Sequence, residues 1–293
     1  MNRTNTRSDV VVRVLALAIA VSAHSGISLL AATPATNQLR PETLNVWEEY
    51  IRAVDSRMQA RFDGAMPFLW IDESAHRGRR IGQGDILVAP VLPHGTQNVP
   101  NGLIHHWIGG VFIPGATITS LSAVVQDYNK YKDFYKPVVV DSRVLGCTDE
   151  NQRFSMLWQH KVLFITAAIQ GEYLARGVKV GGRREYSVAD AVQVQEIEHY
   201  GRPDERLLPP GTGSGFIWRL HSIARYEERG GGVYLELEAI ALTRDIPGSV
   251  RWFVSPVVNH LSINSLTTTL QQTRDAVHSM AKATEVGSLC SNR

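Results

Sequence analysis

The feature that most constrains the fold of this chain is a long two-stranded pattern near its C-terminus. Residues 215–247 form the segment GFIWRLHSIARYEERGGGVYLELEAIALTRDIP. Side chains on both sides of Gly230 and Gly231 follow a period of two, which is typical of β-strands, and a tight hairpin turn needs the positive φ that glycine adopts easily. The segment therefore predicts a long antiparallel hairpin that ends at Pro247.

An apolar stripe follows this hairpin. Its members recur at helical spacing: Ile263, Leu266, Leu270, Thr273, Val277 and Met280. With Ser262 as the candidate N-cap, they predict a C-terminal helix over residues 262–280. A hairpin covered by one helix predicts an α+β fold, with a curved antiparallel sheet wrapped around a long C-terminal α-helix. The gap between such a sheet and its helix suits a small apolar ligand.

The register of the hairpin leaves the environment of its polar residues open. It sets Arg225 opposite Glu236, with Glu238 diagonal to the pair. One interpretation is a solvated outer face. The other is a polar cluster inside a pocket, because Ile240 and Leu242 share that face. A slip of one residue would exchange the two faces of the sheet.

We expect the solvated interpretation. Arg225 and Glu236 then point to solvent, while the opposite face of the hairpin turns inward with Trp218, Leu220, Leu235 and Leu237.

The segments before the hairpin predict one extra N-terminal helix and several more strands. Pro41 suits the first position of a helix, and the apolar stripe of that helix is Leu44, Trp47, Ile51, Val54 and Met58. Arg77, Arg79 and Arg80 suggest a solvated basic loop. Strands are predicted at 86–92 and 103–113, where Gly109 and Gly110 mark a bulge or a close backbone approach. A helix is predicted at 119–135, and strands over 138–198 with breaks at 147–151, 170–171 and 181–182.

The N-terminus has the layout of a secretory signal peptide. Arg3, Arg7 and Arg13 precede an apolar run that is short for a membrane span, and small residues follow up to Ala32. We therefore expect residues 1–32 to be a signal peptide, 33–82 a leader and the N-terminal helix, 83–283 the main domain, and 284–293 a flexible tail. The expected location is exported, periplasmic or secreted, and an uncleaved membrane anchor is the alternative.

Charge and cysteine content narrow the function classes. The chain has 30 basic and 28 acidic side chains, and loss of residues 1–32 would remove three arginines and one aspartate, leaving 27 of each. A neutral chain lacks the basic surface that nucleic-acid binding needs, so we expect no such partner. The two cysteines, Cys147 and Cys290, either form a disulfide in an oxidising compartment or remain thiols.

Motifs for catalysis, metals or cofactors are weak in this sequence. The glycine-rich segment GTGSGF precedes a strand instead of opening a helix, and His105 and His106 are adjacent in a strand and would face opposite ways. We therefore predict no cofactor and no metal. An enzyme would need an acid/base pair in the cavity, for which His105 or His106, Glu238 and Arg244 are the candidates. Glu238 and Arg244 also mark a possible polar pocket.

Several segments together resemble a known superfamily. HHWIGGVFIPGATITSLSAVVQDYNKYKDFYKPVVVDSRVL, GFIWRLHSIARYEE, GGVYLELEAIALTRDIP and the final helix are similar to bacterial proteins of the START-like, helix-grip (SRPBCC) superfamily, over residues 103–277. This superfamily contains lipid-transfer domains, plant carriers of hydrophobic ligands and polyketide aromatase/cyclases. The resemblance implies a helix-grip fold, here in an exported protein.

The resemblance also implies a function, namely binding or transport of a small hydrophobic or amphipathic ligand such as a lipid. The ligand would lie between the sheet and the C-terminal helix, and its predicted contacts are Trp107, Phe112, Tyr128, Trp218, Leu220, Leu266, Leu270 and Val277. All of these residues fit a plain core equally well. The alternatives are a non-catalytic structural or interaction module of the cell envelope and, with less support, an aromatase/cyclase-type enzyme.

Overall fold

A computed structural model of the chain describes residues 38–148, 150–162, 165–245 and 248–281, and gives the backbone alone for 160–162, 165–166, 248–257 and 281. The α-helices of this part are α1 Pro41–Phe62, α2 Ala75–Gly82, α3 Ile118–Val125, α4 Tyr131–Phe134 and α5 Gly248–Ala281. The strands are β1 Leu87–Pro90, β2 Thr96–Val99, β3 Gly102–Pro114, β4 Val139–Cys147, β5 Gln152–Val162, β6 Ile165–Lys179, β7 Arg184–Glu198, β8 Arg206–Leu207, β9 Arg219–Arg229 and β10 Gly232–Arg244. The predicted signal peptide and the tail at 284–293 lie outside the described residues.

The strands form one antiparallel sheet in the order β1-β3-β10-β9-β7-β6-β5-β4, with β2 pairing β3 and β8 pairing β7. The predicted hairpin is confirmed as β9 and β10. Its turn glycines, Gly230 and Gly231, have φ of 62° and 79°, and Arg225 lies opposite Glu236 as expected.

Helix α5 packs on one face of this sheet, chiefly against β3 and α3. We call this face concave and the opposite face convex. Leu266, Leu270 and Val277 of α5 are buried there with Val111 and Leu235. An antiparallel sheet closed by a long C-terminal helix is the predicted helix-grip α+β fold, which is thereby confirmed.

Helix α5 begins earlier than predicted. It starts at Gly248 and runs for 34 residues. Ser262 is therefore inside the helix and is not its N-cap. The Ser262 hydroxyl donates to the Val258 carbonyl one turn back, at 3.0 Å, which is the bond that serine makes within a helix.

The N-terminal helix is confirmed, and it covers the convex face. Trp47, Val54 and Met58 of α1 share one buried cluster with strand residues such as Ile223 and Ile240. The molecule therefore has three layers: α1 and α2, the sheet, and α5. No helix of the described ranges combines the length and apolar character needed to cross a membrane.

Two neighbouring glycines of β3 let helices approach both faces of the sheet. A Cβ on Gly109 would lie 2.8 Å from Leu270 Cδ1 of α5, on the concave side. A Cβ on Gly110 would lie 3.1 Å from Ile71 Cδ1, on the convex side. Of the two predicted alternatives for these glycines, the structure shows the close approach.

Three local predictions were wrong. The predicted basic loop with Arg77, Arg79 and Arg80 is part of helix α2. The Ser74 side chain accepts the Arg77 N–H and so caps the start of this helix. The helix predicted at 119–135 is divided into α3, a 3-10 turn at Tyr128–Lys130 and α4. Leu121, Val124 and Tyr128 of this segment are buried. Strand β6 also continues through residues 170–171: Gly171 leaves room for the Tyr173 ring, which an added Cβ would meet at 2.6 Å.

Candidate functional site

The two faces of the central strand β10 have different environments. On the convex face, Glu236, Glu238, Ile240 and Leu242 are all buried. On the concave face the alternate residues Leu237, Ala239 and Ala241 are partly exposed, although β10 lies in the middle of the sheet. The concave side is therefore incompletely filled at this place.

The partly exposed residues form three facing pairs across β9 and β10. Register places Leu237 opposite Ala224, Ala239 opposite Ser222, and Ala241 opposite Leu220, and all six side chains are partly exposed. We call this region the hollow, defined by Leu220, Ser222, Ala224, Leu237, Ala239 and Ala241. Four of the six are alanine or serine, and each of the two leucines faces an alanine, so the floor of the hollow is low and mostly apolar.

Buried clusters flank the hollow. On one side lie Trp107 and the α5 residues Leu266, Leu270 and Val277. On the other side Tyr128 stacks on Phe154, and Phe154 stacks on Tyr173, with ring centroids 3.9 Å and 4.9 Å apart. These rings bury a large apolar area and form a rigid wall.

Few polar groups lie on the concave face near the hollow. His105 is opposite Ala241, is 6% exposed, and its Nε2 is 3.0 Å from the Thr243 hydroxyl. Burial lowers the pKa of His105 to about 4, so its imidazole is neutral at pH 7. Its Nδ1 atom is buried and has no hydrogen-bond partner in the part of the chain that the structure describes. The described residues contain no group of three side chains suited to hold a metal ion.

A charged cluster lies on the opposite, convex face beneath α1. Arg225 contacts Glu236 at 3.1 Å and Glu238 at 2.7 Å. Glu238 also contacts His106 at 2.7 Å, and the other ring nitrogen of His106 is 2.6 Å from the Tyr50 hydroxyl of α1. The Glu236 carboxylate accepts the backbone N–H of Ile71 at 2.6 Å.

The protonation states in this cluster follow from its contacts. Burial alone would raise the pKa of the Glu238 carboxyl, but the hydrogen bond from His106 and the charge of Arg225 hold that pKa well below its usual range. Burial lowers the pKa of His106 despite Glu238. A neutral His106 satisfies both contacts, since Nε2–H donates to Glu238 and Nδ1 accepts from Tyr50. The cluster links α1 to the sheet and is sealed from solvent.

This result corrects the expectation for Arg225 and Glu236, which do not point to solvent: they are 1% and 0% exposed. The physical reason is that α1 and residues 70–73 cover the convex face. The alternative of an enclosed polar cluster holds for Glu238, but not in the company of Arg244. The Arg244 side chain is exposed at the end of β10, so these two residues do not form one polar pocket.

The predicted ligand contacts are divided among three places. Trp107, Leu266, Leu270 and Val277 flank the hollow, Leu220 belongs to it, and Tyr128 is in the aromatic wall. Phe112 and Trp218 instead pack with the convex cluster. Trp218 precedes β9, so the strand alternation used to place it does not extend to its position. The binding role of the concave residues stays a prediction.

Sequence reasoning overlooked most of the floor of the hollow. Ser222, Ala224, Ala239 and Ala241 are small, and the prediction concentrated on large apolar side chains. The available signal was the alternation itself, since small residues at every second position of paired strands leave space above them. His105 was considered only as a metal ligand or an acid/base group.

A separate recess of about 290 Å³ lies away from the hollow, at the start of α1. Its lining includes Leu39, Arg40, Leu44, Gly211 and Arg219. Its lining includes no residue of α5 or of the hollow. The candidate site therefore remains the hollow, where the partly exposed surface belongs to the centre of the sheet.

Comparison with known proteins gives similarity in fold only. No family model and no curated protein sequence matches the chain. Among solved structures, the STAR-related lipid transfer protein of Xanthomonas axonopodis has 18% identity over 63% of this chain and 99% of that chain, with a TM-score of 0.42. Human STARD10 has 8% identity over 66% and 77%, with a TM-score of 0.41. The Zhui aromatase/cyclase of a Streptomyces has 14% identity over 61% and 97%, with a TM-score of 0.40. At these identities and TM-scores, the likenesses decide neither the ligand nor the activity.

Proposed function

We propose that the protein binds a small hydrophobic or amphipathic molecule in the hollow between the sheet and α5. The observation that carries this proposal is the partly exposed surface of Leu237, Ala239 and Ala241 in the middle of the sheet, beside fully buried residues on the opposite face. When an apolar ligand covers the exposed apolar surface of a central strand, that surface is removed from water and the complex is stabilised.

The surroundings of the hollow support a binding role over a catalytic one. The candidate acid/base residues are separated, because Glu238 and His106 lie beneath α1 and His105 lies on the concave face. A carrier needs an apolar site with few polar groups that orient the ligand. Trp107, Leu270 and the aromatic wall supply the apolar part, and His105 and Ser222 supply the polar part.

The proposal is tested by filling the hollow. The wild-type protein, stripped of bound lipid, is titrated with the neutral fluorescent probe N-phenyl-1-naphthylamine, and native mass spectrometry of untreated protein reports any ligand that co-purifies. Ala239→Trp places a ring across the floor and is expected to weaken probe binding at least about tenfold. Ser222→Leu fills the same place with a smaller change.

The matched control is Leu207→Trp, which adds a similar ring at a residue that is 51% exposed on β8. It should bind the probe like the wild type. Circular dichroism confirms that each variant is folded. Absence of probe binding and of any co-purifying ligand in the folded wild type would overturn the proposal and favour a structural or interaction module.

A further inference from the structure

We propose that the hollow selects an uncharged alcohol or phenol, whose hydroxyl donates a hydrogen bond to Nδ1 of His105. This inference rests on the proposed function and adds the chemical class of the ligand. Two independent observations carry it: the absence of charged side chains within the hollow, and the hydrogen bonding of the His105 ring.

The six residues that define the hollow carry no charged side chain. Among the concave positions of the three nearest strands, one is charged, Glu228 at the end of β9. The others are uncharged: Leu103, His105, Trp107, Gly109, Val111 and Ile113 of β3, Leu220, Ser222, Ala224 and Tyr226 of β9, and Val233, Leu235, Leu237, Ala239, Ala241 and Thr243 of β10. An anionic or cationic head group placed in the hollow would lose its hydration without gaining an opposite charge, which is unfavourable.

Three carboxylates occupy concave positions near the ends of β7 and β9, and each already accepts a hydrogen bond. Glu228 of β9 accepts the backbone N–H of Ile118 at 2.9 Å. Glu185 accepts from the Ser122 hydroxyl at 2.8 Å. Glu196 accepts from the backbone N–H groups of Ser214 and Phe216 at 2.7 Å and 3.0 Å. None of the three is a cation that could hold a ligand carboxylate. The cation Arg225 of β9 belongs to the convex face, where Glu236 and Glu238 already bind it.

Hydrogen bonding fixes which nitrogen of His105 carries the proton. The Thr243 hydroxyl donates its only proton to the Arg244 carbonyl at 3.1 Å. It must therefore accept from His105 Nε2, 3.0 Å away. Because the ring is neutral, Nδ1 has no proton and is a hydrogen-bond acceptor, and no group of the described residues donates to it.

A buried acceptor without a donor is unfavourable, and a ligand that supplies the donor relieves this cost. His105 lies opposite Ala241, at the edge of the hollow. A hydroxyl can donate to Nδ1 there, whereas an ether cannot, and a carboxylate would bring an unpaired negative charge. The site therefore distinguishes these three groups on otherwise identical apolar chains.

The test uses competition for the bound probe by three molecules of equal chain length: 1-dodecanol, 1-methoxydodecane and dodecanoate. For the wild-type protein at pH 7, the alcohol is expected to displace N-phenyl-1-naphthylamine at about tenfold lower concentration than the ether or the carboxylate. His105→Phe keeps an apolar ring but removes the acceptor. With displacement measured relative to the variant's own affinity for the probe, it should lose the preference for the alcohol over the ether.

His221→Phe is the matched control, because His221 is also a buried histidine, 2% exposed, but lies on the convex face against Asp190. It should keep the preference for the alcohol. Equal displacement by alcohol and ether, tighter binding of the carboxylate, or an unchanged preference in His105→Phe would each overturn this inference while leaving the proposed function intact. Failure of the wild type to bind the probe would overturn the proposed function itself.

Discussion

The burial of Arg225 is determined by the N-terminal segment that covers the convex face. Its guanidinium is buried between two carboxylates, and the backbone of residues 70–73 and the helix α1 close the site. A buried ion pair does not by itself add much stability, but loss of one partner leaves the others buried without compensation. The cluster therefore makes the docking of the N-terminal segment specific.

Replacement of Arg225 is accordingly expected to be severe. Arg225→Met should lower the free energy of unfolding by about 3–5 kcal/mol, because Glu236 and Glu238 then remain buried together without a cation. Urea denaturation followed by tryptophan fluorescence measures the change. Arg153→Met is the control: the Arg153 side chain is 57% exposed in its pair with Glu172, so a loss of about 0–1 kcal/mol is expected. Similar losses in both variants would contradict the special role of Arg225.

His105 gives the protein a predictable dependence on pH. Its pKa in the folded state, about 4, lies below the value of 6.5 for a free side chain, so the unfolded chain takes up the proton first as the pH falls. The contribution of neutral His105 to the free energy of unfolding is complete above pH 6.5 and is lost progressively as the pH falls toward 4. Between pH 7 and pH 5, the wild type should lose about 2 kcal/mol more than His105→Phe.

The measurement is urea unfolding at both pH values, with His260→Phe as the control because His260 is an exposed residue of α5. This control should follow the wild type. If the loss in His105→Phe equals that of the wild type, the protonation of His105 in the folded state has been assigned incorrectly.

At the residue scale, the sequence predicted which residues lie opposite each other in the hairpin, but it did not predict whether they are buried. Gly230 and Gly231 determined the turn, and the turn determined that Arg225 lies opposite Glu236. The environment of this pair depends on α1, which is more than 150 residues away along the chain. Alternation identifies which residues share a face, but it does not identify what covers that face, so the pair was assigned to solvent.

At the scale of elements, α1 was predicted as a helix but not placed. Its stripe of apolar residues is amphipathic and needs a partner surface. The convex face offers one because Ile223, Ile240 and Leu242 alternate with the charged cluster there. Small residues also determine how closely the layers pack: Gly109 and Gly110 let α5 and Ile71 approach the same strand from opposite faces. Such contacts join distant segments, and a local pattern does not reveal them.

Removal of the principal anchor of α1 tests this docking. Trp47 is 6% exposed, and Trp47→Ala should lower the free energy of unfolding by about 3–5 kcal/mol through the lost apolar burial and the remaining cavity. Ile263→Ala, at a residue that is 36% exposed on α5, should change it by about 0.5 kcal/mol. Thermal and urea unfolding compare the two variants, and a mild effect at Trp47 would show that α1 is only loosely attached.

At the scale of the whole molecule, the two faces of the sheet are covered differently. The convex side is closed by α1, α2 and a charged cluster, while the concave side keeps unfilled apolar surface beneath α5. The sequence predicted the sheet, its hairpin and its C-terminal helix, because each has a local period. It could not predict that one face is sealed and the other is open, since this depends on how three distant segments share one sheet.

We propose that the protein is exported. The proposal is supported by the signal-peptide pattern of residues 1–32 and by the disulfide bond of Cys147. Cys147 is disulfide-bonded, and the other cysteine of the sequence, Cys290, lies outside the described residues. Disulfides persist in oxidising compartments, and closing so long a loop would stabilise the folded chain by about 4–5 kcal/mol in the entropic model. Protein recovered from the periplasm or the medium should therefore begin after Ala32 and show no thiol that reacts with iodoacetamide until a reductant is added, when two should react. A protein that keeps residues 1–32 in the cytoplasm, or that carries two reactive thiols without reductant, would contradict export.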